Sequence, residues 1–160
     1  MNKKLIIDKM IDKMKQDLSA LKEALNDSYE TATHEDNIAK NKYDTLALEA
    51  GYLVQGQARR SEELEEALAV LESLTLKEFG DRSKIEVSAL VTLEAEDASL
   101  RTMLIAPGGG GLKVEVEGRE ITVMTPVTPT GKAVMGQYLG DLIEVELGNE
   151  VKDFEIVELS

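Results

Sequence analysis

The spacing of apolar residues changes once along this chain, near residues 74–84, and that change limits the folds open to it. Upstream, Ile7, Ile11, Met14, Leu18, Leu21 and Leu25 advance by alternating steps of four and three. At 3.6 residues per turn, such steps line up on one side of a helix. Leu46, Ala50, Leu53, Gln57, Arg60, Leu64, Ala67, Leu71 and Leu74 repeat the spacing as a second stripe. Gln57 and Arg60 are poor seam residues, so packing is expected to weaken midway. Neither stretch contains any of the chain's three prolines. A single stripe cannot bury itself, and folding the two together through residues 30–40 gives an antiparallel helical hairpin, a coiled coil. About 25 helical residues at 1.5 Å each reach roughly 37 Å. The turn is therefore expected to project away from any domain at the other end.

Downstream the period shortens to two. The segments "KIEVSALVTLE", "RTMLIAP", "LKVEVEG", "EITVMTP", "DLIEVEL" and "KDFEIVEL" are rich in Val and Ile and are separated by Gly, Pro or Asp. This is the pattern of half-buried strands. Within "EGRE" (117–120) a Glu-Gly pair predicts a tight hairpin. One short helix is expected in "PTGKAVMGQYLG", with Thr128 or Thr130 as its start signal. The fold class is thus α+β, a helical hairpin followed by a small β-rich domain with one short helix. The expected organisation is 1–75 for the hairpin with its tip at 30–40, 76–84 for a linker, and 85–160 for the C-terminal domain.

Charge and composition narrow the function. Against 18 Lys and Arg stand 31 Asp and Glu, a net charge of −13. Both halves are acidic, −5 through residue 80 and −8 beyond it, so no phosphate-tracking surface is visible. Aromatics are 4% of residues, too few for base-stacking platforms. Binding to free nucleic acid is not expected, and a basic protein partner suits the charge better. With no cysteine, disulfides and cysteine-ligated metal sites are excluded. No stretch approaches the roughly 18 uninterrupted apolar residues of a membrane span, and "MNKKLIIDKM" has too short an apolar run for a signal peptide. The expectation is a cytoplasmic protein without membrane contact.

Three segments are candidates for chemistry. "APGGGG" (106–111) lacks the following Lys-Ser/Thr of a phosphate loop and reads as a flexible connection between strands. "TATHEDNIAK" (31–40) places the only histidine, His34, beside Glu35 and Asp36 at the joint of the hairpin. It reads either as a charged turn or as a working tip. Adjacent residues rarely close around one ion unaided, so carboxylates sharing a hard cation held by a partner fit better than a self-contained site. In "DTLALEAGYLVQGQARR" (44–60), Gly51 costs about 1 kcal/mol in a helix relative to alanine, so it lies on the solvent side or against something close.

Two of these stretches resemble a known family. "TPTGKAVMGQYLGDLIEVE" (128–146) is similar to the pattern Ser-Pro-Leu-Gly-Arg-Ala-Leu-Leu-Gly, then an aliphatic residue and Gly-Asp, of the Gre family of bacterial transcript-cleavage factors. Thr128, Pro129, Gly131, Lys132, Ala133, Gly136, Gly140 and Asp141 fall in register. "YDTLALEAGYL" (43–53) resembles the family's Glu-Tyr-x-x-Ala-x-x-x-x-Gly-Phe segment. The order of hairpin and β domain agrees over nearly the whole chain. The resemblance implies an FKBP-like C-terminal domain that binds bacterial RNA polymerase, with Thr128, Pro129, Gly131 and Lys132 as the candidate contacts. It also implies a coiled coil inserted into the polymerase's secondary channel. At the tip, family members carry an Asp and a Glu that help hold the polymerase's second magnesium ion, and the polymerase's own active site cuts the nascent RNA.

The tip departs from that pattern. Counting back without gaps from Gly51 and Tyr43, Asp36 takes the family's Asp position, while Ala39 and Lys40 replace the Glu and the following Asn. A gapped register sets Asp36 and Asn37 against the Glu-Asn instead, with Glu35 or His34 nearby. Asp36 and Glu35 remain the candidate catalytic carboxylates, and Asp36 the candidate ligand for the polymerase's magnesium. With the acidic pair not reproduced at its usual spacing, second-ion binding should fall sharply. The expectation is a monomeric accessory factor, not itself an enzyme and with no cofactor of its own. It would touch nascent RNA only indirectly and modulate elongation with weak or no cleavage stimulation. The competing reading is a coiled-coil adaptor that does not bind polymerase. A prolyl isomerase, which the implied fold also suggests, would need several aromatics around its pocket, and the C-terminal half offers only Tyr138 and Phe154.

Overall fold

A computed structural model of the chain describes residues 1–33 and 45–160. Two long helices, α1 (Lys3–Thr33) and α2 (Thr45–Glu72), precede strands β1 (Leu90–Ala95), β2 (Leu100–Ile105), β3 (Lys113–Val116) and β4 (Arg119–Met124). A short helix α3 (Pro129–Val134) and strands β5 (Leu142–Leu147) and β6 (Glu150–Leu159) complete the chain. Two compact units result: Met1–Ile11 with Ala69–Ser160, and Asp12–Leu68. The α+β expectation holds, and the unit that carries the sheet also takes in the start of α1 and the end of α2.

Unit Asp12–Leu68 is helical. Lys22 on α1 reaches Glu65 on α2 at 2.7 Å, while in the other unit Lys3 donates to the carbonyl of Lys77. On α1, Met14 is buried and Leu18, Leu21 and Leu25 are half-buried, as the stripe predicts. On α2 the expected stripe holds at Gln57, Leu64 and Ala67, all half-buried, and fails at two positions. Leu53 is 55% exposed and Arg60 is exposed, whereas Val54, Gln57, Ala58, Leu64 and Leu68 are half-buried and Ser61 is buried. At Ser61 a hydroxyl enters the seam in place of the Arg60 guanidinium, whose desolvation costs far more. The midway weakness lies at Gln57, whose buried Oε1 has no hydrogen-bond partner among the described residues.

In the other unit a six-stranded sheet runs in the order β3-β4-β2-β1-β6-β5. All neighbours are antiparallel except β2 and β4, which are parallel. The central strand β1 opens with four buried residues, while β3 and β5 alternate exposed and buried, as a strand covered on both faces and strands covered on one should. One core face gathers Ile85, Val91, Leu93, Met103, Ile105, Val134, Ile143, Phe154 and Ile156. Ile6 and Met10 of α1 and Leu71 of α2 are also buried. The expected hairpin at 117–120 forms with Glu117 and Gly118 both at positive φ, 53° and 76°, the two-residue turn whose twist suits paired strands.

Three expectations need correction. "KIEVSALVTLE" becomes strand only from Leu90, because Ser88 takes φ 78° and donates its N–H to the Ile105 carbonyl at 2.8 Å. The short helix stops at Val134, since Gly136 turns to φ 79°. "APGGGG" is tied down: Gly111 N–H donates to the Val123 carbonyl at 2.9 Å and Ala106 N–H to Met124 at 3.0 Å.

Polar groups inside this unit are paired. The Thr92 and Thr102 hydroxyls lie 3.1 Å apart across β1 and β2, and Thr92 also donates to Glu158 at 2.8 Å. Arg119 meets the same carboxylate at 2.7 Å. Donation from Thr92, then from Arg119, holds the Glu158 carboxyl below its usual pKa. The Lys3 ammonium sits 4.8 Å from the Phe79 ring centroid, and its burial lowers its pKa against the opposing pull of Glu78.

Candidate functional site

The segment from Met124 to Leu142 holds the motif that sequence reading singled out, and the fold divides its residues into two kinds. Thr125, Pro126 and Val127 lead out of β4 into α3. Thr128 caps that helix: its extended backbone (φ −71°, ψ 158°) lets Oγ1 accept the Gly131 N–H at 3.1 Å, the usual service of a threonine N-cap. The hydroxyl proton has two acceptors in reach, the Thr125 carbonyl at 2.8 Å and the Met124 sulfur at 2.9 Å, and the carbonyl is the stronger. Pro129 opens the helix, where its missing N–H costs nothing. Of the two start signals expected, Thr128 is the one used.

Gly131 is buried, and an added Cβ would lie 1.9 Å from the Thr125 carbonyl oxygen. Its role is close approach, which only a hydrogen permits. Gly136 and Gly140 serve differently, at φ 79° and 87°. Gly136 N–H donates to the Ile85 carbonyl and Gly140 N–H to the Ile156 carbonyl, binding the segment to the sheet unit. Asp141 closes the turn by accepting the Tyr138 N–H at 2.8 Å. Thr128, Gly131, Gly136, Gly140 and Asp141 are therefore occupied in building the loop.

What the loop presents outward is a smaller set. Pro129 and Lys132 are exposed, and Val127 is 75% exposed. Among the described residues Lys132 forms no ion pair. An apolar pair beside one cation is chemistry for gripping a protein surface, with Lys132 seeking a carboxylate. Val127 was missed by sequence reading. Its signal is a β-branched side chain between two prolines, where nothing can cover it.

Other sites offer less. A groove of about 540 Å³ is lined by Leu93, Met103, Met124, Phe154 and Arg101, among others. Phe154 is only 3% exposed, and the Arg101 guanidinium lies 5.4 Å from its ring centroid. Tyr138 does not line this groove, so the aromatic enclosure that proline isomerisation needs is lacking there. Among the described residues no cluster of three His, Asp or Glu could hold a metal, and no helix is long and apolar enough to cross a membrane. The tip candidates His34, Glu35, Asp36 and Lys40, with Ala39, lie outside the described residues.

No protein-family model matches the chain. Among curated proteins it is 31% identical over 105 residues to the transcription elongation factor GreA of Neorickettsia sennetsu, which covers 65% of this chain and 60% of that relative. It is 27% identical over 130 residues to GreA of Thermomicrobium roseum, covering 81% of this chain and 76% of the relative. The match thus spans three-fifths of the length of the first of these relatives and about three-quarters of the second. Similar solved structures include GreA factor homolog 1 of Thermus thermophilus, with TM-score 0.40, 18% identity and 94% of each chain covered.

Proposed function

We propose, from its kinship with GreA proteins, that this chain is a divergent member of the Gre family and a transcription elongation factor that binds bacterial RNA polymerase through the α3 loop. The observation that carries this reading is the sorting of the motif's residues. Its threonine, glycines and aspartate are spent on the loop's own geometry, and Pro129 and Lys132 are left facing solvent beside Val127. A scaffold that holds two or three outward groups in place without using them internally suits recognition.

In this proposal the hairpin enters the polymerase's secondary channel and carries Asp36 and Glu35 toward a magnesium ion that the polymerase itself holds. The ion supplies charge stabilisation at the scissile phosphate, and the chain's share is to position a carboxylate beside it. In the ungapped register Ala39 and Lys40 stand where a second carboxylate and an amide are usual, and in the gapped one Asp36 and Asn37 take those places. The factor then occupies the channel and modulates elongation, with cleavage stimulation weak or absent.

The test is a pull-down with purified bacterial RNA polymerase, followed by incubation of stalled elongation complexes with the protein and magnesium. The parent chain should be retained, and Pro129→Ala combined with Lys132→Glu should weaken retention by about tenfold, in line with loss of one anchor and one charge contact. No retention of the parent would discard the proposal. Equal RNA cleavage by the parent and Asp36→Ala would remove the tip carboxylate from the chemistry while leaving the binding proposal intact.

A further inference from the structure

The two edges of the sheet are treated differently. On β3, the carbonyl of Glu115 is taken by the Lys9 ammonium at 3.1 Å. Among the described residues β6 is the only strand beside β5, and no backbone hydrogen bond outside that ladder reaches Leu142–Leu147. The outward N–H and C=O groups of β5 form a template for another strand.

The side chains on its open face have one charge sign. Leu142, Glu144 and Glu146 share that face by alternation. Register places Glu155 opposite Leu142, Asp153 opposite Glu144 and Val151 opposite Glu146, and Glu155 in turn faces Glu94 on β1. None of these five carboxylates forms an ion pair with a described residue. Like charges directly opposite, as in Glu144 and Asp153, are unfavourable in a sheet. Between them stand exposed aliphatics, Leu142 at 77% and Val151 at 62%.

We propose that the free edge of β5 is a strand-addition site for an extended segment of a partner protein in which Lys or Arg alternates with other residues. Main-chain hydrogen bonds to β5 would supply affinity, and cations opposite Glu144 and Glu146 would set register and choice. A second copy of this chain is a poor occupant. Pairing β5 with itself sets Glu144 and Glu146 against their own kind, on molecules of net charge −13. The proposal uses none of the residues assigned to polymerase binding and stands without that reading.

Charge alone would draw any polycation to so acidic a protein, so the test separates strand pairing from attraction. The full chain is titrated with a labelled peptide of alternating Lys and Val, long enough to pair with Leu142–Leu147, and with the same peptide N-methylated at the amides that would face β5. The expected result is binding of the first peptide, protection of backbone amides in β5 from hydrogen exchange, and about tenfold weaker binding of the methylated one, the loss of roughly 1.4 kcal/mol of main-chain bonding. Glu144→Lys with Glu146→Lys should weaken binding by a similar factor and favour a Glu-Val peptide instead. If that variant does not fold, Glu144→Gln with Glu146→Gln, which keeps the shape, should still weaken the Lys-Val peptide. Equal binding of the methylated peptide, equal binding by the charge variants, no binding at all, or self-association through β5 would each overturn the proposal.

Discussion

Gly131 shows how much one hydrogen atom can decide. Its neighbour Thr128 contributes a side-chain cap, but Gly131 contributes absence: the Thr125 carbonyl occupies the place of a Cβ. Backbone atoms cannot swing aside as a side-chain terminus can. Gly131→Ala should therefore push α3 off the sheet unit and cost about 1–3 kcal/mol, the range of overpacked sites. Thermal melting would register this as a clear fall, and an unchanged midpoint would mean that the loop yields freely. By contrast Glu158, Thr92, Thr102 and Arg119 were not singled out by spacing at all. Their residues lie on β6, β1, β2 and β4, and only the sheet's register brings the carboxylate to its two donors.

At the scale of elements, α2 keeps two glycines that packing does not require. Among the described residues nothing lies within 4 Å of a Cβ added at Gly51 or Gly56, and both are exposed. This answers the question that Gly51 posed, for it lies on the solvent side. Gly51→Ala and Gly56→Ala should each stabilise the protein by up to about 1 kcal/mol, through higher helix propensity and a less flexible unfolded chain. The denaturation midpoint should rise with an unchanged slope. A fall would reveal a close contact that the described residues do not contain. Strands were legible because alternation is a strong local signal, as in "DLIEVEL", which forms β5 in its expected place. The ends were harder. Whether the α3 helix would continue past Val134 depended on Gly136 reaching over to Ile85, a contact across about fifty residues that no local pattern encodes.

For the whole molecule, charge is the dominant electrostatic fact. A net −13 on 160 residues makes self-repulsion a cost of compactness. The ion pairs that oppose it are exposed, for example Lys22–Glu65 with side chains 52% and 50% accessible, and such pairs contribute little. Raising sodium chloride from about 0.02 M to about 0.5 M shortens the screening length several-fold. The melting temperature should rise by a few degrees, and a fall would mean that the ion pairs outweigh the repulsion.

The sequence by itself determined the order of helix and strand, the hairpin at Glu117 and Gly118, and the place of the α3 motif, because hydrophobic period and turn chemistry act between near neighbours. That Ser61 and not Arg60 enters the seam of α2 was decided only in three dimensions, where burying a hydroxyl costs less than burying a guanidinium. So was the parallel pairing of β2 with β4, and so was the division of the motif into residues that build its loop and residues that face outward. Those outcomes rest on contacts between distant segments, whose energies exist only once the chain has brought them together.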